Sequence, residues 1–374
     1  MGKLLPLNRR AADEGRQAML LALAGTAGDA DQRNGDLGPA VALLQQNGWL
    51  QACLPFGAGG AGWGCAPAGA ASALQSLRDL GRANLSLARL FEGHMNAVKL
   101  IALYGTPACQ KRVFGRVAEG ALLGVWGADA PGDPLRLEAA GNQWRLTGAK
   151  RFASGLGLVA EAVVTAAHSA GGVQLALVPV DEAERSDPSE WRMAGMRATR
   201  SGVYRMTGLQ LHTGDLVGKP GDYLLEPHFE GGIWRYCAAH LGAAEQLYSL
   251  MREALLARGR AGDAVQQGRI VQVAIAIETA RLWIARASEA VEASDAPPRS
   301  AAVSLLAREV TERCCREVLA TVEHALGMAA HEEGGEVERI RRDLALFLCQ
   351  AAPDAKRMRA AQGLLEGGGL PEAL

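Results

Sequence analysis

The sequence predicts a mainly α-helical protein with a small β-domain in the middle of the chain. Residues 1–118 carry apolar side chains at helical spacing, residues from about 119 to 215 form short alternating segments, and long helical patterns return from about residue 229. The 374 residues are enough for two or three domains. We therefore expect an N-terminal helical domain over residues 1–118, a small β-sandwich or barrel over 119–225 and a four-helix bundle over 226–374.

The N-terminal segment has three stretches with apolar positions three and four apart, at residues 39–52, 71–80 and 96–104. Between the first two lies a glycine-rich segment, and its residues 57–62 (GAGGAG) match the dinucleotide-binding pattern G-x-G-x-x-G. That pattern binds a dinucleotide only when it follows a strand and opens a helix. Because the preceding segment is helical and no βαβ texture follows, we expect a loop that joins two helices.

The middle segment has the alternation that is typical of strands. Residues 135–139 and 144–146 alternate on either side of Gly141-Asn142, which predicts a hairpin. Apolar runs at residues 159–167 and 173–180 and a patterned run at 203–211 follow, with turns between them. Several short strands with turns between them predict a mostly antiparallel domain.

The C-terminal segment carries four long amphipathic patterns, at residues 233–256, 270–293, 300–326 and 337–350. Each has apolar positions three and four apart, and Pro297-Pro298 separates the second from the third. Four long helices with short connections predict a bundle.

Composition excludes several classes of protein. The net charge is −1, so no bulk basic field favours nucleic acid or an anionic membrane surface. No apolar run reaches the roughly 18–20 residues that a membrane span needs. The seven cysteines are odd in number and form no CxxC pair, which predicts reduced thiols in a cytoplasmic protein. The cluster His331–Glu333 is not a metal site by this reasoning, because adjacent side chains point apart, so we expect no metal.

Several motifs occur in a fixed order along the chain. They are residues 104–106 (YGT), 124–129 (GVWGAD), 144–155 (WRLTGAKRFASG), 195–201 (GMRATRS) and the pair 342–343 (RD). With them, the chain resembles the acyl-CoA dehydrogenase flavoproteins over nearly its whole length. The resemblance implies FAD held between the β-domain and the bundle. It also implies a homodimer or homotetramer in which one subunit completes the cofactor site of another, an acyl-CoA or related thioester as substrate, and an electron-accepting flavoprotein as a partner.

The resemblance also implies roles for individual residues. Phe152 falls where an aromatic side chain packs on the flavin ring, and Ser154 where a hydroxyl lies near the reactive flavin nitrogen. Trp126 and Ala128 fall at the other edge of the ring. Arg258 falls where an arginine binds the cofactor pyrophosphate, as suits a dianion. The remaining two positions, Arg269 near the adenosine half and His324 across a subunit interface, replace glutamines of the family.

The chain departs from the family at the catalytic base. Dehydrogenation of an acyl thioester needs a carboxylate that takes the α-proton while the flavin takes a hydride from the β-carbon. The resemblance places this glutamate nine residues after Arg342, where the chain has Ala351. A minority of the family supplies the base from an earlier helix, and the corresponding residues 231–235 of this chain include no carboxylate. Glu230 is the acid nearest to that stretch and Asp354 follows Ala351 closely, and each would be a non-standard base.

Three functions are therefore open. The first is an FAD-dependent oxidoreductase that oxidises the α,β C–C bond of an acyl thioester, with Glu230 or Asp354 as base. The second is a flavin monooxygenase or oxidase on the same fold, which needs no glutamate at position 351 because reduced flavin reacts with oxygen. The third is a catalytically silent binding subunit, although the retained Phe152, Ser154 and Arg258 argue against it.

Overall fold

The computed structural model describes residues 5–32, 35–350 and 352–366, and it confirms the predicted order of helices, β-domain and helices. The N-terminal helices are α1 (Leu5–Gly25), α2 (Ala27–Ala30), α3 (Gly38–Gln46), α4 (Trp49–Ala52), α5 (Ala70–Ala83), α6 (Leu85–Tyr104) and α7 (Pro107–Ala118). Helix α6 begins at Asn84, whose side chain accepts a hydrogen bond from Leu87 N at 3.1 Å. It ends before Thr106, which caps α7 in the same way, with Pro107 in the first helical position.

The glycine-rich segment lies between α4 and α5, as the sequence predicts. Ala61 N and Trp63 N both donate to Ala52 O, so the segment folds back on the end of α4. A side chain at Gly60 would meet the Leu54 carbonyl oxygen at 2.1 Å, so the glycine is needed for close packing. Helices flank this segment on both sides, and a dinucleotide fold is therefore not formed here.

The β-domain contains two sheets. Its strands are β1 (Leu123–Trp126), β2 (Arg136–Ala140), β3 (Gln143–Thr147), β4 (Ala149–Ala153), β5 (Glu161–His168), β6 (Val173–Pro179), β7 (Ser186–Asp187), β8 (Gly202–Arg205), β9 (Gln210–Leu211) and β10 (Leu216–Val217). The larger sheet has the order β10-β6-β5-β2-β3-β9 with β1 beside β5, and the smaller has the order β4-β8-β7. The predicted hairpin is β2–β3, with Leu137 opposite Leu146 and Gly141 at a φ of 67°. Most pairs are antiparallel, but β5 runs parallel to both β1 and β2.

The C-terminal helices are α8 (Trp234–Ala257), α9 (Ala264–Glu292), α10 (Ser300–Leu326), α11 (Glu336–Phe347) and α12 (Pro353–Glu366). The first four correspond to the four predicted patterns. Helix α12 was not predicted from the sequence, and it packs on α10 through an ion pair of Arg357 with Glu309. In the described part of the chain, no helix is both long enough and apolar enough to cross a bilayer.

Helix α6 is the structural link between the β-domain and the bundle, because it contacts both β1 and α8. His94 of this helix accepts a hydrogen bond from Leu123 N at 3.0 Å through Nδ1, and its Nε2 lies 3.1 Å from Leu50 O. The imidazole is therefore neutral, with the hydrogen on Nε2. Burial lowers the pKa of His94 to about 4. One buried ring thus holds α4, α6 and the first residue of β1 together.

Candidate functional site

Three non-glycine residues with a left-handed backbone lie together at one edge of the smaller sheet. They are Phe152, Met196 and Arg200, with φ values of 56°, 55° and 46°. Gly155 N donates to Thr199 O at 2.8 Å, which joins the chain after Phe152 to the segment 195–201. Such conformations cost about 1–3 kcal/mol each and occur most often at functional sites. The backbone therefore marks this edge as a candidate site.

The ring of Phe152 is the apolar surface of this edge. Phe152 is 41% exposed, whereas the next residue, Ala153, is fully buried. The Arg151 guanidinium lies 3.9 Å from the ring centroid, and Trp191 makes an edge contact at 5.9 Å. An aromatic ring that remains this exposed within a packed sheet is a platform suited to a flat aromatic ligand.

A row of three hydroxyl groups runs inward from the same edge. Ser154 Oγ lies 2.9 Å from Ser201 Oγ, which lies 2.8 Å from Thr199 Oγ1. The Thr199 hydroxyl donates to Met196 O at 2.7 Å. Ser154 is half-buried, whereas Ser201 and Thr199 are buried. Ser154 therefore brings one end of a buried hydroxyl row to the surface beside Phe152.

The bundle fixes the inner end of this row. Asp343 of α11 accepts a hydrogen bond from Met196 N at 2.6 Å, and Arg342 donates to Ala194 O at 2.7 Å. A side chain at Gly195 would meet the Arg342 carbonyl oxygen at 2.5 Å, so the segment 195–201 lies directly on α11. Burial raises the pKa of Asp343 to about 6, although the Met196 hydrogen bond opposes this shift.

Trp126 is buried in the structure, whereas Ala128 is exposed. Trp126 is buried, and its indole Nε1 donates to Ser154 O at 3.1 Å. This side chain supports the Phe152–Ser154 turn from behind. Ala128 is exposed just beyond the end of β1, and its carbonyl accepts from Arg151 N at 2.9 Å.

Arg258 and His324 lie at one end of the bundle. Arg258 ends α8 and donates from Nη1 to Leu326 O at 3.4 Å, a long contact that leaves most of the guanidinium free. His324 is exposed on the last turn of α10, and Arg269 is half-buried on α9. Among the described residues, no hydrogen bond or ion pair joins these three side chains to the Phe152 edge.

The two candidate bases have unfavourable positions for proton abstraction. Glu230 is buried and forms ion pairs with Lys356 and Arg359 of α12. Asp354 is the opposite case, since its side chain is 95% exposed and lies 3.9 Å from Arg357. Position 351, where the resemblance expects the base, lies outside the described residues.

Two buried polar side chains of α8 near α11 were not predicted as site residues from the sequence. Tyr236 Oη and His240 Nε2 are both buried without a hydrogen-bond partner, and His240 packs edge-on against Phe347 at 4.3 Å. Phe347 lies one helical turn after Asp343, so it faces the same side of α11. The sequence shows these residues only as isolated polar positions in an apolar helix, and only the packing of α8 on α11 brings them together. No cluster of potential metal ligands occurs within residues 5–32, 35–350 and 352–366.

Comparison with known proteins gives the chain a family. Residues 11–121 match the family model described as the N-terminal domain of acyl-CoA dehydrogenase, and residues 226–348 match that of its C-terminal domain. A dibenzothiophene monooxygenase of Mycolicibacterium goodii is 25% identical over 195 residues, which cover 48% of this chain and 45% of that protein. The chain thus matches about half the length of this relative.

Two solved structures show how far the fold extends. TdsC from Paenibacillus sp. A11-2, solved with bound FMN, has a TM-score of 0.83 at 18% identity and covers 98% of this chain and 99% of its own. The methanesulfinate monooxygenase MsuC from Pseudomonas fluorescens has a TM-score of 0.80 at 19% identity, with 97% and 98% covered. From the matched domains and the shared fold, the chain belongs to the acyl-CoA dehydrogenase family.

Proposed function

We propose that this protein is a flavin-dependent monooxygenase that transfers one atom of O₂ to a small organic substrate. The observation that carries the proposal is the state of the two carboxylates near the expected base. Glu230 is buried between two cations and Asp354 is exposed to solvent, so neither is placed to take a proton from a thioester. Oxygenation has no need of that base. The named activities of the relatives support this alternative better than acyl-CoA dehydrogenation.

We propose FMN rather than FAD as the flavin. The exposed ring of Phe152 would pack on the isoalloxazine, and the Ser154 hydroxyl would hydrogen-bond its edge. The free guanidinium of Arg258 would hold the phosphate. The resemblance assigns position 269 to the adenosine half of FAD and position 324 to a subunit interface, and neither position carries the glutamine of the family. The TdsC structure was solved with FMN. The bound flavin supplies the reaction with O₂.

The site residues of this chain would bind and shield the reacting groups. Trp126 and the left-handed backbone at Phe152 hold the Ser154 turn in place, so the hydroxyl is fixed before the flavin binds. Buried Tyr236 and His240 offer unpaired polar atoms on the bundle side, where a substrate could hydrogen-bond. The seven free cysteines favour a reducing compartment. Oxygenation consumes two electrons, so the partner would be an electron donor and not an acceptor.

The decisive experiment is a single turnover with ¹⁸O₂. The purified protein is loaded with FMN, reduced with dithionite without oxygen, freed of excess reductant and mixed with ¹⁸O₂ and dibenzothiophene or indole, the compounds named for relatives. One ¹⁸O atom in the organic product is the expected result. Bleaching of the oxidised flavin by an acyl-CoA without oxygen would instead support the dehydrogenase. No flavin binding at all would support the silent subunit.

Phe152→Ala is expected to weaken FMN binding by about 10- to 100-fold, because the ring stacking on the flavin is lost. Quenching of FMN fluorescence on titration with protein measures the dissociation constant. Phe56→Ala is the matched control, since Phe56 is also exposed but lies in the glycine-rich segment. Equal affinity in Phe152→Ala and the wild type would place the flavin elsewhere.

Glu230→Gln is expected to leave the rate of oxygenation per bound flavin within about threefold of the wild type, because its carboxylate takes no proton in the reaction. The variant loses its ion pairs to Lys356 and Arg359, so α12 is bound less tightly to the rest of the protein. Rates are therefore divided by the flavin content of each preparation. A loss of about 10²-fold or more with flavin still bound would make Glu230 a general base.

We also propose that α9 mediates self-association. Val271, Ile275 and Leu282 are exposed along one face, and a groove of ≈ 420 Å³ runs beside them. The spacing of four and seven residues places these three side chains on one face of the helix, with Glu278 and Thr279 between Ile275 and Leu282. A second copy of the chain presents the same stripe and would cover it symmetrically.

Ile275→Glu is expected to convert the assembly to a smaller species, because Ile275 is 63% exposed in the single chain and a carboxylate would be buried in the interface. Light scattering after size-exclusion chromatography gives the mass. Thr279→Glu, which lines the same groove on the next turn but replaces a polar side chain, is expected to have a smaller effect. An unchanged mass for Ile275→Glu would show that α9 is not the interface.

A further inference from the structure

Two half-buried polar side chains interrupt the buried helix α6. From Leu85 to Ile101, every residue of this helix is buried except Arg89 and Asn96. These two residues are seven positions apart, which is about two helical turns, so they lie on the same face of the helix. Packing alone would favour apolar side chains on a helix in the interior of the protein. This face of α6 is therefore a candidate for contact with a polar ligand.

Glu92 lies between these two residues and holds both of them. Its Oε2 accepts a hydrogen bond from Arg89 Nη1 at 2.6 Å, and its Oε1 accepts one from Asn96 Nδ2. Among the described residues, the Arg89 guanidinium makes no other hydrogen bond or ion pair, so its Nε and Nη2 remain free. The Arg89 side chain is 14% exposed. The free edge of the guanidinium is thus open, and such an edge can bind two oxygens of one oxyanion.

The charges beside this face of α6 favour an anion over a cation. Arg89 and Lys99 of α6, together with Arg235 of α8, supply three positive charges against the two carboxylates of Glu92 and Glu292. A cationic ligand would need a free carboxylate instead. Glu92 does not offer one, because both of its oxygens already accept a hydrogen bond and its residue is buried.

The open face of α6 begins next to the candidate flavin site. Ser86 precedes Arg89 by three residues, and its Oγ lies 3.9 Å from Met196 Sδ. Leu90 follows Arg89 directly, and its Cδ2 would lie 3.2 Å from a Cβ added at Gly155. Met196 and Gly155 belong to the two segments that form the flavin site. An organic group bound at Arg89 would therefore lie beside that site.

We propose that Arg89 binds the oxyanion of a small organic acid, a carboxylate or a sulfinate, and that such acids are the substrates of this protein. This inference rests on the proposed function and names its substrate class. The guanidinium would donate from Nε and Nη2 to two oxygens of the acid, while Glu92 keeps Nη1 in place. A neutral aromatic compound offers no such pair of oxygens to Arg89.

Calorimetric titration tests this inference with methanesulfinate, propionate and dimethyl sulfoxide, which is a neutral compound close in size and shape to methanesulfinate. Each titration uses the protein with and without FMN. The wild type is expected to bind at least one of the two anions about tenfold more tightly than dimethyl sulfoxide. The anion that binds more tightly identifies the acid as a sulfinate or a carboxylate. Arg89→Gln is expected to weaken binding of that anion by about 10- to 100-fold and to leave the affinity for dimethyl sulfoxide unchanged.

Arg89→Lys keeps a positive charge beside Glu92 and so protects the fold, but it loses the planar pair of donors and should also weaken binding of the anion. Arg185→Gln is the matched control, because Arg185 pairs with a glutamate three residues away, Glu182, in the β-domain. It should bind the anion like the wild type.

Three results would overturn the inference. They are equal affinities of the wild type and Arg89→Gln for the anion, no preference of the wild type for either anion over dimethyl sulfoxide, and tighter binding of isopropylammonium than of either anion. The proposed function would survive any of them if ¹⁸O still enters a neutral substrate. Failure of the wild type to bind FMN would instead overturn the proposed function, and with it the assignment of the acid as a substrate.

Discussion

Replacement of Glu292 with alanine is expected to lower the free energy of unfolding by about 3–5 kcal/mol, because it breaks a buried cluster of ion pairs. Glu292 ends α9 and is buried. One of its oxygens accepts from Arg235 Nη2 at 2.5 Å and the other from Lys99 Nζ at 2.8 Å. Burial opposes ionisation, but Arg235 and Lys99 outweigh it and hold the pKa of Glu292 below its usual value. Its removal would leave two buried cations without a carboxylate, although Arg235 still donates to Gly64 O.

The position of this ion cluster makes the effect global. Lys99 belongs to α6 of the N-terminal segment, whereas Arg235 and Glu292 belong to the bundle. Urea unfolding followed by circular dichroism measures the change. Glu278→Ala on the same helix is the control, because Glu278 is exposed and its surface pair with Arg281 should contribute little to stability. A loss for Glu292→Ala no larger than that of the control would show that the cluster is hydrated in solution.

Acidification from pH 6.5 to pH 4 is expected to destabilise the protein through two buried histidines. Burial lowers the pKa of His94 to about 4, and burial with the nearby Arg308 charge lowers that of His240 to about 3. The unfolded chain takes up both protons near pH 6.5. Between pH 6.5 and the lowered pKa values, the unfolded chain therefore binds more protons than the folded chain, and acidification favours unfolding. Over this range each imidazole lowers the free energy of unfolding by about 1.4 kcal/mol for each pH unit of acidification. Asp343, whose pKa is raised to about 6, acts in the opposite sense and offsets one of them.

His240→Phe isolates one of the two contributions. His240 Nε2 is buried without a partner beside Phe347, so an apolar ring should be tolerated near pH 7. Between pH 6 and pH 4, we expect the free energy of unfolding of the variant to fall by about 1.4 kcal/mol per pH unit less than that of the wild type. Urea midpoints across this range measure the slopes, and His331→Asn, an exposed histidine, is the control. Parallel slopes in His240→Phe and the wild type would mean that His240 is already protonated in the folded state.

Protonation of His94 has a second consequence for the site. Its Nδ1 accepts from Leu123 N at the start of β1, and a protonated ring cannot accept. Because β1 leads to Trp126, which supports the Ser154 turn, the flavin affinity of the folded protein should fall only near pH 4, where the buried ring takes up its proton.

Much of this protein could be predicted from the sequence, because it depends on local patterns. The four long apolar stripes became α8 to α11, and Gly141 made the predicted β2–β3 turn at positive φ. The family resemblance, confirmed by the matched domains, rested on short motifs whose residues are local in the chain. The motif GMRATRS also contained Thr199 and Ser201, but nothing local indicated that Ser201 contacts Ser154 and Thr199 contacts Ser201.

The state of the candidate bases was decided by tertiary structure alone. In the sequence, Glu230 and Asp354 are each a carboxylate beside one of the two positions where the resemblance places a base. No pattern predicts that one forms ion pairs with α12 while the other faces water. The hydroxyl row, the Glu292 cluster and the unpaired Tyr236 and His240 also join residues far apart in the chain. Periodicity and turn chemistry act over a few residues and so determine the elements, whereas the partners of a buried charge or hydroxyl depend on how those elements pack.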